Sequence, residues 1–426
     1  MVAMMKEMKD SGIEWIGQIP EEWSLVPIRA VFKEVTDKNF DGSVKNALKF
    51  TYGAIVPKTN FEADNDDYVA NTILNYTVVE PGTIVLNGLN LNYDFVSQRI
   101  GLVKNKGVIT SAYMAFKPLG ERVSPEYATY LFKAYDGCKA LHNMGGGVRK
   151  ILNFSEFKRY YVCFPTLLEQ QAIVTYLDAK CAEIDALSTD IQSEIDTLEA
   201  YKRSVITEAV TKGLGKSAPV KDSGIPWIGM IPEHWKASKI KYEIFPVEKR
   251  TTERDGIITC FRDGEVTLRS KRREEGFTVS LTEHGYHGVD IGDLVIHGMD
   301  AFAGAIGCSD SRGKTTPVVH VCKTTGNNRF FMYCLRSMAY GNILMDLSDG
   351  IRVRSSDFRN FSKLGVFGIA VAPVQEQNEI VAYLDKICSE IESIIAQKQE
   401  QLAVLADYKK SVIYEYVTGK KEAPVI

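Results

Sequence analysis

From Pro165 onward apolar residues return every three or four positions: Ile173, Leu177, Ile184, Leu187, Ile191, Ile195, Leu198 and Val205, with Glu, Asp, Gln and Lys between them. A period near 3.5 sustained over so many turns marks a coiled-coil seam. The rhythm returns in Ile380, Leu384, Ile387, Ile391, Ile394, Leu405 and Val412, interrupted near Lys398. Each segment predicts a helix of about 40 to 45 residues, roughly 60 to 65 Å long at 1.5 Å per residue. Neither helix can bury its seam alone, so the two are expected to pack antiparallel on each other, with a globule at each end.

The remaining chain reads as short strands and turns. Gly82 to Asn87 (GTIVLN) and Gly292 to His297 (GDLVIH) are each a glycine-led step into a β-rich apolar run. Gly107 to Lys117 (GVITSAYMAFK) aligns with Gly313 to Lys323 (GKTTPVVHVCK) although identity has faded. Stronger echoes fix the organisation. KDSGIEWIGQIPEEW at Lys9 to Trp23 returns as KDSGIPWIGMIPEHW at Lys221 to Trp235, identical at 12 of 15 positions. EQQAIVTYLDAKCAEI from Glu169 is matched by EQNEIVAYLDKICSEI from Glu376, and YKRSVITEAVTKG from Tyr201 by YKKSVIYEYVTGK from Tyr408. The chain is a duplicated half-protein, ordered globule, helix, globule, helix. The expected class is α+β: two mixed α/β domains at 1–164 and 214–372, separated by two long antiparallel coiled-coil helices at 165–213 and 373–426, as an internal pseudo-two-fold repeat.

Composition agrees with two real cores in 426 residues, 45% of them hydrophobic. There is no apolar run long enough to span a bilayer and no signal-peptide pattern, so a soluble, cytoplasmic protein without membrane contact is expected. Eight cysteines without a CxxC pair read as buried, reduced thiols. The net charge of −3 conceals an uneven distribution. Residues 166–200 carry −7 and residues 376–407 carry −5, which leaves +9 on the rest. Acidic helices with basic globules suit a DNA binder.

Catalytic signatures are absent. GLGKS at Gly213 resembles the end of a phosphate loop, but Val210 stands where the first glycine belongs and the segment follows a helix; a C-terminal helix cap with Pro219 beyond it fits better. Gly313-Lys314-Thr315 fails in the same way, with Cys308 in the glycine position. The chain has no Pro-Pro, which rules out the tetrapeptide used for methyl transfer to a base amino group. His284 and His287 lack evident further metal ligands. No catalytic, cofactor-binding or metal site is expected.

Each globule places a glycine turn and basic side chains ahead of a Ser-acid-Phe segment. Gly145 to Gly147 precede Val148, Arg149 and Lys150, and Gly350 precedes Ile351, Arg352, Val353 and Arg354. Such a turn lets backbone approach a phosphate that arginine pairs bidentately, although a plain turn with solvated charges is the other reading. The densest basic run, Arg269, Lys271, Arg272 and Arg273, lies in the same globule as Arg312 and Lys314. The first globule offers Lys58, Asn60, Asn87, Asn90, Arg99, Lys104 and Lys106. These are the donors of major-groove readout, Arg and Lys to guanine and Asn to adenine. The four tryptophans, kept in both straps, are expected to anchor the globules.

Taken together, the two KDSGIxWIGxIPExW straps, the Pro-led Glu-Gln segments at Pro165 to Gln170 and Pro373 to Gln377, and the Tyr-Leu-Asp segments at Tyr176 and Tyr383 resemble the DNA-specificity subunit of type I restriction-modification systems. The resemblance runs over nearly the whole chain. It implies two target recognition domains, each reading half of a split, asymmetric site in double-stranded DNA, and helices that set the spacer and dock two methyltransferase subunits. It further implies restriction (motor-nuclease) subunits as partners, and S-adenosylmethionine, ATP and Mg2+ used on other subunits, with none bound by this chain. One departure is that Pro165 stands one residue further from its Glu-Gln than Pro373 does, which predicts unequal joints between globule and helix. The alternative function is a bivalent protein-interaction scaffold.

Overall fold

The structure is a computed structural model that describes residues 7–58, 73–93, 98–215, 218–273, 284–345 and 358–424. The chain forms two compact units, Met1–Ile191 with Glu400–Ile426, and Gln192–Gln399.

In the first unit, β1 (Phe32–Glu34), β2 (Ile84–Leu86), β3 (Ile100–Leu102) and β4 (Met114–Pro118) form an antiparallel sheet in the order β1-β4-β2-β3. Helix α1 (Pro125–Gly137) starts on Ser124, whose hydroxyl accepts from Tyr127 N, with Pro125 at the first helical position. The core between them is largely aromatic: Phe32, Phe116, Phe132 and Phe157 meet at ring separations of 5.3–5.6 Å. Helix α2 (Leu167–Lys212) follows.

The second unit repeats this plan with little shared sequence. Strands β5 (Ile244–Pro246), β6 (Leu294–His297), β7 (Ile306–Cys308) and β8 (Val319–Thr324) pair antiparallel in the corresponding order β5-β8-β6-β7. Helix α3 (Asn328–Tyr340) stands where α1 does and is capped by Asn327. Gly101 in β3 and Gly307 in β7 show why small residues recur: a Cβ at Gly307 would lie 2.0 Å from the Gly264 carbonyl oxygen, and one at Gly101 2.9 Å from Ile55. Each glycine lets a neighbouring hairpin press onto the strand.

The repeated straps fold alike. Met8–Asp10 pairs with Gln18–Pro20, and Val220–Asp222 with Met230–Pro232. Asp10 Oδ1 accepts from Gly12 N at 2.9 Å and Asp222 Oδ1 from Gly224 N at 3.0 Å, with both glycines at φ +67°. Trp23 and Trp235 are buried, as expected of anchors.

Helix α2 has 46 residues and α4 (Val374–Val417) has 44, as the seam predicts. In the first unit the two run antiparallel, with Tyr176 stacked on Tyr416 at 4.4 Å and Lys409 paired with Asp185 at 2.6 Å. In the second unit Lys202 pairs with Glu392 at 3.1 Å and Lys398 with Glu194, again antiparallel. Ile173, Leu177, Ile184, Ile191, Ile380, Leu384, Ile391 and Val412 are buried on the seam, and Leu198 and Leu405 are half-buried.

Two seam assignments are corrected. Leu187 is 47% exposed and Ile394 is 42% exposed. Heptad steps of four and three through Leu177, Cys181, Ile184, Ser188, Ile191 and Ile195 bring Ser188 inward in place of Leu187, and Ile395 takes the place of Ile394. Lys398 is not an interruption either: it occupies a seam position and carries its charge to Glu194. Polar residues at such positions fix one register among those that apolar contacts alone would allow.

The joints between globule and helix are equivalent, contrary to the expectation from the proline spacing. Gln170 is fully buried; its Nε2 donates to Pro165 O at 3.0 Å and to Arg122 O at 2.9 Å, and its Oε1 accepts from Ser124 N at 2.8 Å. Gln377 Nε2 donates to Ala372 O at 2.8 Å and its Oε1 accepts from Asn327 N at 2.9 Å. Each glutamine therefore binds the carbonyl five residues before it and the capping residue of the globule's helix. Counted from the glutamine, the joints have the same length, and the proline has only moved by one place.

Candidate nucleic-acid interface

In the first unit the structure brings Asn87, Asn90, Arg149 and Lys150 together on two touching loops. The loop 87–92 follows β2, and the hairpin 145–152 follows α1. Leu152 N donates to Gly88 O at 2.9 Å and Leu91 N to Lys150 O at 3.1 Å, joining the loops through backbone. Gly88 permits this contact, since a Cβ there would sit 2.2 Å from the Leu152 carbonyl oxygen. Asn90 and Arg149 are exposed, while Asn87 and Lys150 are half-buried.

Arg99 has a different place from the one the sequence suggests. It is 8% exposed, and its guanidinium donates to the carbonyls of Asn87 at 2.9 Å, Leu89 at 2.6 Å and Asn90 at 3.2 Å. Its backbone N–H donates to Asp136 in α1 at 2.8 Å. Buried donors so engaged hold a loop in shape and are not presented to a ligand. Arg99 is corrected from a base-reading candidate to the clamp beneath one. Lys58, Lys104 and Lys106 are exposed, and Lys106 pairs with Glu80 at 3.2 Å.

In the second unit Lys271, Arg272 and Arg312 are answered by acids of the same globule. Arg272 lies 4.0 Å over the Phe261 ring and pairs with Asp263 and Glu265, each at 2.6 Å. Lys271 reaches Asp310 at 3.1 Å and Ser311 at 2.6 Å, and Arg269 Nε donates to Thr259 at 2.9 Å. Arg312 pairs with Asp255 at 3.0 Å and with Asp290. The Arg312 hydrogen bond holds the Asp255 carboxyl below the usual carboxylate range, and Lys249, then Arg312, do the same for Asp290. Arg273 is exposed and Lys314 half-buried. Asn60, Arg352 and Arg354 lie outside the described residues.

Two tyrosines that the sequence did not single out tie the globules to the helices. Tyr130 in α1 donates to Asp178 at 2.6 Å, and Tyr333 in α3 donates to Asp385 at 2.7 Å. The acceptors are the aspartates of the two Tyr-Leu-Asp segments. Burial, and then the aspartate bond, push both phenols well above their ordinary pKa. Their signal in sequence is the echo of those aspartates; the donors sit in globule helices whose sequences have diverged.

No group of three or more His, Cys, Asp or Glu among the described residues could hold a metal ion. His287 instead meets the Val319 carbonyl at 2.9 Å. Gly213 caps α2 at φ +74°, with its N–H on Ala209 O at 3.1 Å, which accounts for the phosphate-loop resemblance. None of the described helices is long and apolar enough to cross a membrane.

Two mixed α/β units on a common plan, each packed on segments of two long helices, define a fold shared with a solved chain from work on complex assembly and conformational transition of the type I R-M system. That chain matches 95% of this one and 99% of its own length, with a TM-score of 0.67 at 14% identity. In sequence the chain is similar to the type I restriction enzyme MjaVIII specificity subunit of Methanocaldococcus jannaschii, 23% identical over 244 residues. That match takes in 57% of this chain and 54% of the relative, so the chain spans about half the length of the curated relative it matches. The HsdS subunit of Thermoanaerobacter tengcongensis aligns over 95% of this chain and 98% of its own at 14% identity, with a TM-score of 0.48. No family model matches the chain.

Proposed function

We propose that this chain is the sequence-specific DNA recognition subunit of a type I restriction-modification complex. The observation that carries the reading is one scaffold built twice: the same four-stranded order and the same Gln and Tyr–Asp joints, with loop sequences that differ between the units. Equivalent joints with unlike loops suit a reader of two unlike half-sites.

In this reading the first unit presents Asn87, Asn90, Arg149, Lys150 and Lys104 to one half-site, and the basic residues of the second, Arg269, Lys271, Arg272, Arg273, Arg312 and Lys314, supply the candidates for the other. Asn60, Arg352 and Arg354 remain candidates by sequence. The helices fix the spacer and dock two methyltransferase subunits, and motor-nuclease subunits join that core. The chain itself performs no chemistry; S-adenosylmethionine, ATP and Mg2+ act on the partners, and the complex works in the cytoplasm. Phosphate contacts position each domain and base contacts specify.

The test is methylome sequencing of the source cells with and without the gene. Loss of methylation at one split asymmetric motif is the expected result; an unchanged methylome in cells that express the system refutes the reading. The internally paired Lys271, Arg272 and Arg312 favour one rival, a bivalent protein scaffold. Salt dependence separates the two, because DNA binding through several phosphates weakens steeply between about 50 and 200 mM salt.

A further inference from the structure

The tip of the hairpin 145–152 carries an apolar side chain that the fold does not use. Val148 is 96% exposed, although it stands between a glycine and an arginine on a tightly built turn. Gly146 and Ile151 exchange backbone hydrogen bonds at 3.0 and 3.2 Å, and Lys150 N donates to Gly147 O at 3.1 Å. Gly147 sits at φ +76° and Lys150 at φ +42°. The base is pinned to loop 87–92 by the two backbone bonds described above, and a Cβ at Gly145 would lie 2.7 Å from Leu91. The tip is thus presented on a firm support beside the Arg99-clamped loop. Arg149 makes no ion pair among the described residues, unlike Lys271, Arg272 and Arg312.

A second observation comes from the sequence. Gly147-Val148-Arg149 returns as Gly350-Ile351-Arg352, a glycine, a β-branched apolar residue and an arginine, in a segment outside the described residues. Loop sequences differ widely between the halves, and this pattern of glycine, β-branched apolar residue and arginine is kept. A feature kept by two domains that read different bases belongs with what their half-sites share, which is the sugar-phosphate backbone.

We propose that Val148 and Arg149 form a sequence-independent contact to duplex DNA, with Arg149 on a phosphate and Val148 packed against the adjoining sugar. This deepens the DNA reading above and rests on it. The partner favoured is DNA because the tip adjoins a loop bearing Asn87, Asn90 and Asn92, with Lys150 at its own base; a methyltransferase surface, equally common to both halves, is the competing outcome.

The experiment uses the full chain assembled with its methyltransferase subunits. Its probes are two duplexes, one carrying the motif found by methylome sequencing and one scrambled duplex of equal length. R149A is expected to weaken both duplexes by the same factor, and to lower the slope of log affinity against log salt by about 0.9, the value of one phosphate contact. R149K keeps the wild-type slope and controls for folding. V148S weakens both duplexes alike and leaves the methylated motif unchanged in cells. A changed motif, or an effect on one duplex only, overturns the proposal in favour of base reading. Unchanged DNA affinity with loss of the assembled complex on size exclusion overturns it in favour of a methyltransferase contact. Wild-type complex that binds neither duplex overturns the DNA reading itself, separately from this inference.

Discussion

Gln170 Oε1 accepts the backbone N–H of Ser124 at 2.8 Å, so the first turn of the long helix α2 is tied to the N-cap residue of the globule's own helix, 46 positions away in sequence. The relationship is repeated by Gln377 and Asn327 at 2.9 Å, 50 positions apart. One buried carboxamide thus fixes each globule to the helix pair. A side-chain amide suits the site, because its NH2 donates to carbonyls while its oxygen accepts an N–H.

Replacing Gln170 by Ala orphans the Ser124 N–H and the carbonyls of Pro165 and Arg122. A buried group left unpaired costs about 1 to 3 kcal/mol, so Q170A should lower stability by roughly 3 kcal/mol. Q170E should be no better, since a carboxylate cannot donate to the two carbonyls. Urea unfolding of the full chain measures the loss; a stable Q170A would show that the joint does not depend on this network.

The Tyr130–Asp178 and Tyr333–Asp385 bonds are partly open to water, so each should contribute less than a buried charged hydrogen bond. Y130F and Y333F are expected to cost about 1 kcal/mol each and to be additive, as they lie in separate units. Denaturant melts of the single and double variants check both the size and the additivity.

Arg312 should behave as a structural residue before it behaves as a DNA contact. Its partner Asp255 has a side chain only 6% exposed, so R312A leaves that carboxylate without its cation and held by the Thr252 N–H. Because Arg312 itself is partly solvated, the expected loss is about 2 kcal/mol, under the range for fully buried pairs. Asp255 titrates below its unfolded value of 3.8, so the folded state releases its proton more readily. The pair therefore adds stability above pH 3.8 that fades as pH falls through the depressed pKa. R312A should flatten that acid limb, as followed by circular dichroism between pH 2 and 5.

His297 and His320 both have pKa values lowered by burial, with Asp300 opposing the shift at His297 and the Phe358 carbonyl opposing it at His320. Arg262 and His320 press the His297 value further down, and His287 does the same for His320. A histidine that resists protonation in the fold makes the unfolded chain bind more protons below pH 6.5. The second unit should lose stability as pH falls below that value, down to the folded pKa. H320F removes part of the slope, and melting temperatures at pH 5 and 7.5 compare it with the parent chain.

Much of this architecture was legible in the chain itself. The strap repeat, the strand segments at Gly82 and Gly292 and the two long helices follow from local pattern, because period, turn chemistry and duplication leave their mark residue by residue. The seam was readable to within one residue. Leu187 and Ile394 were misplaced because apolar identity was weighed above heptad spacing, and their neighbours Ser188 and Ile395 are the ones that face inward.

What the sequence alone determined is the order of elements, their repetition and the residue types available for DNA. Which donors are presented was decided by tertiary structure. Arg99 and Arg149 are the same side chain with the same charge, yet one is folded beneath loop 87–92 against three carbonyls and the other stands on an exposed tip. Lys271, Arg272 and Arg312 read as a basic patch until the fold brings Asp255, Asp263, Asp290 and Asp310 against them. Charge pairing depends on distances of a few ångströms between residues up to 57 positions apart, and local sequence does not encode such distances.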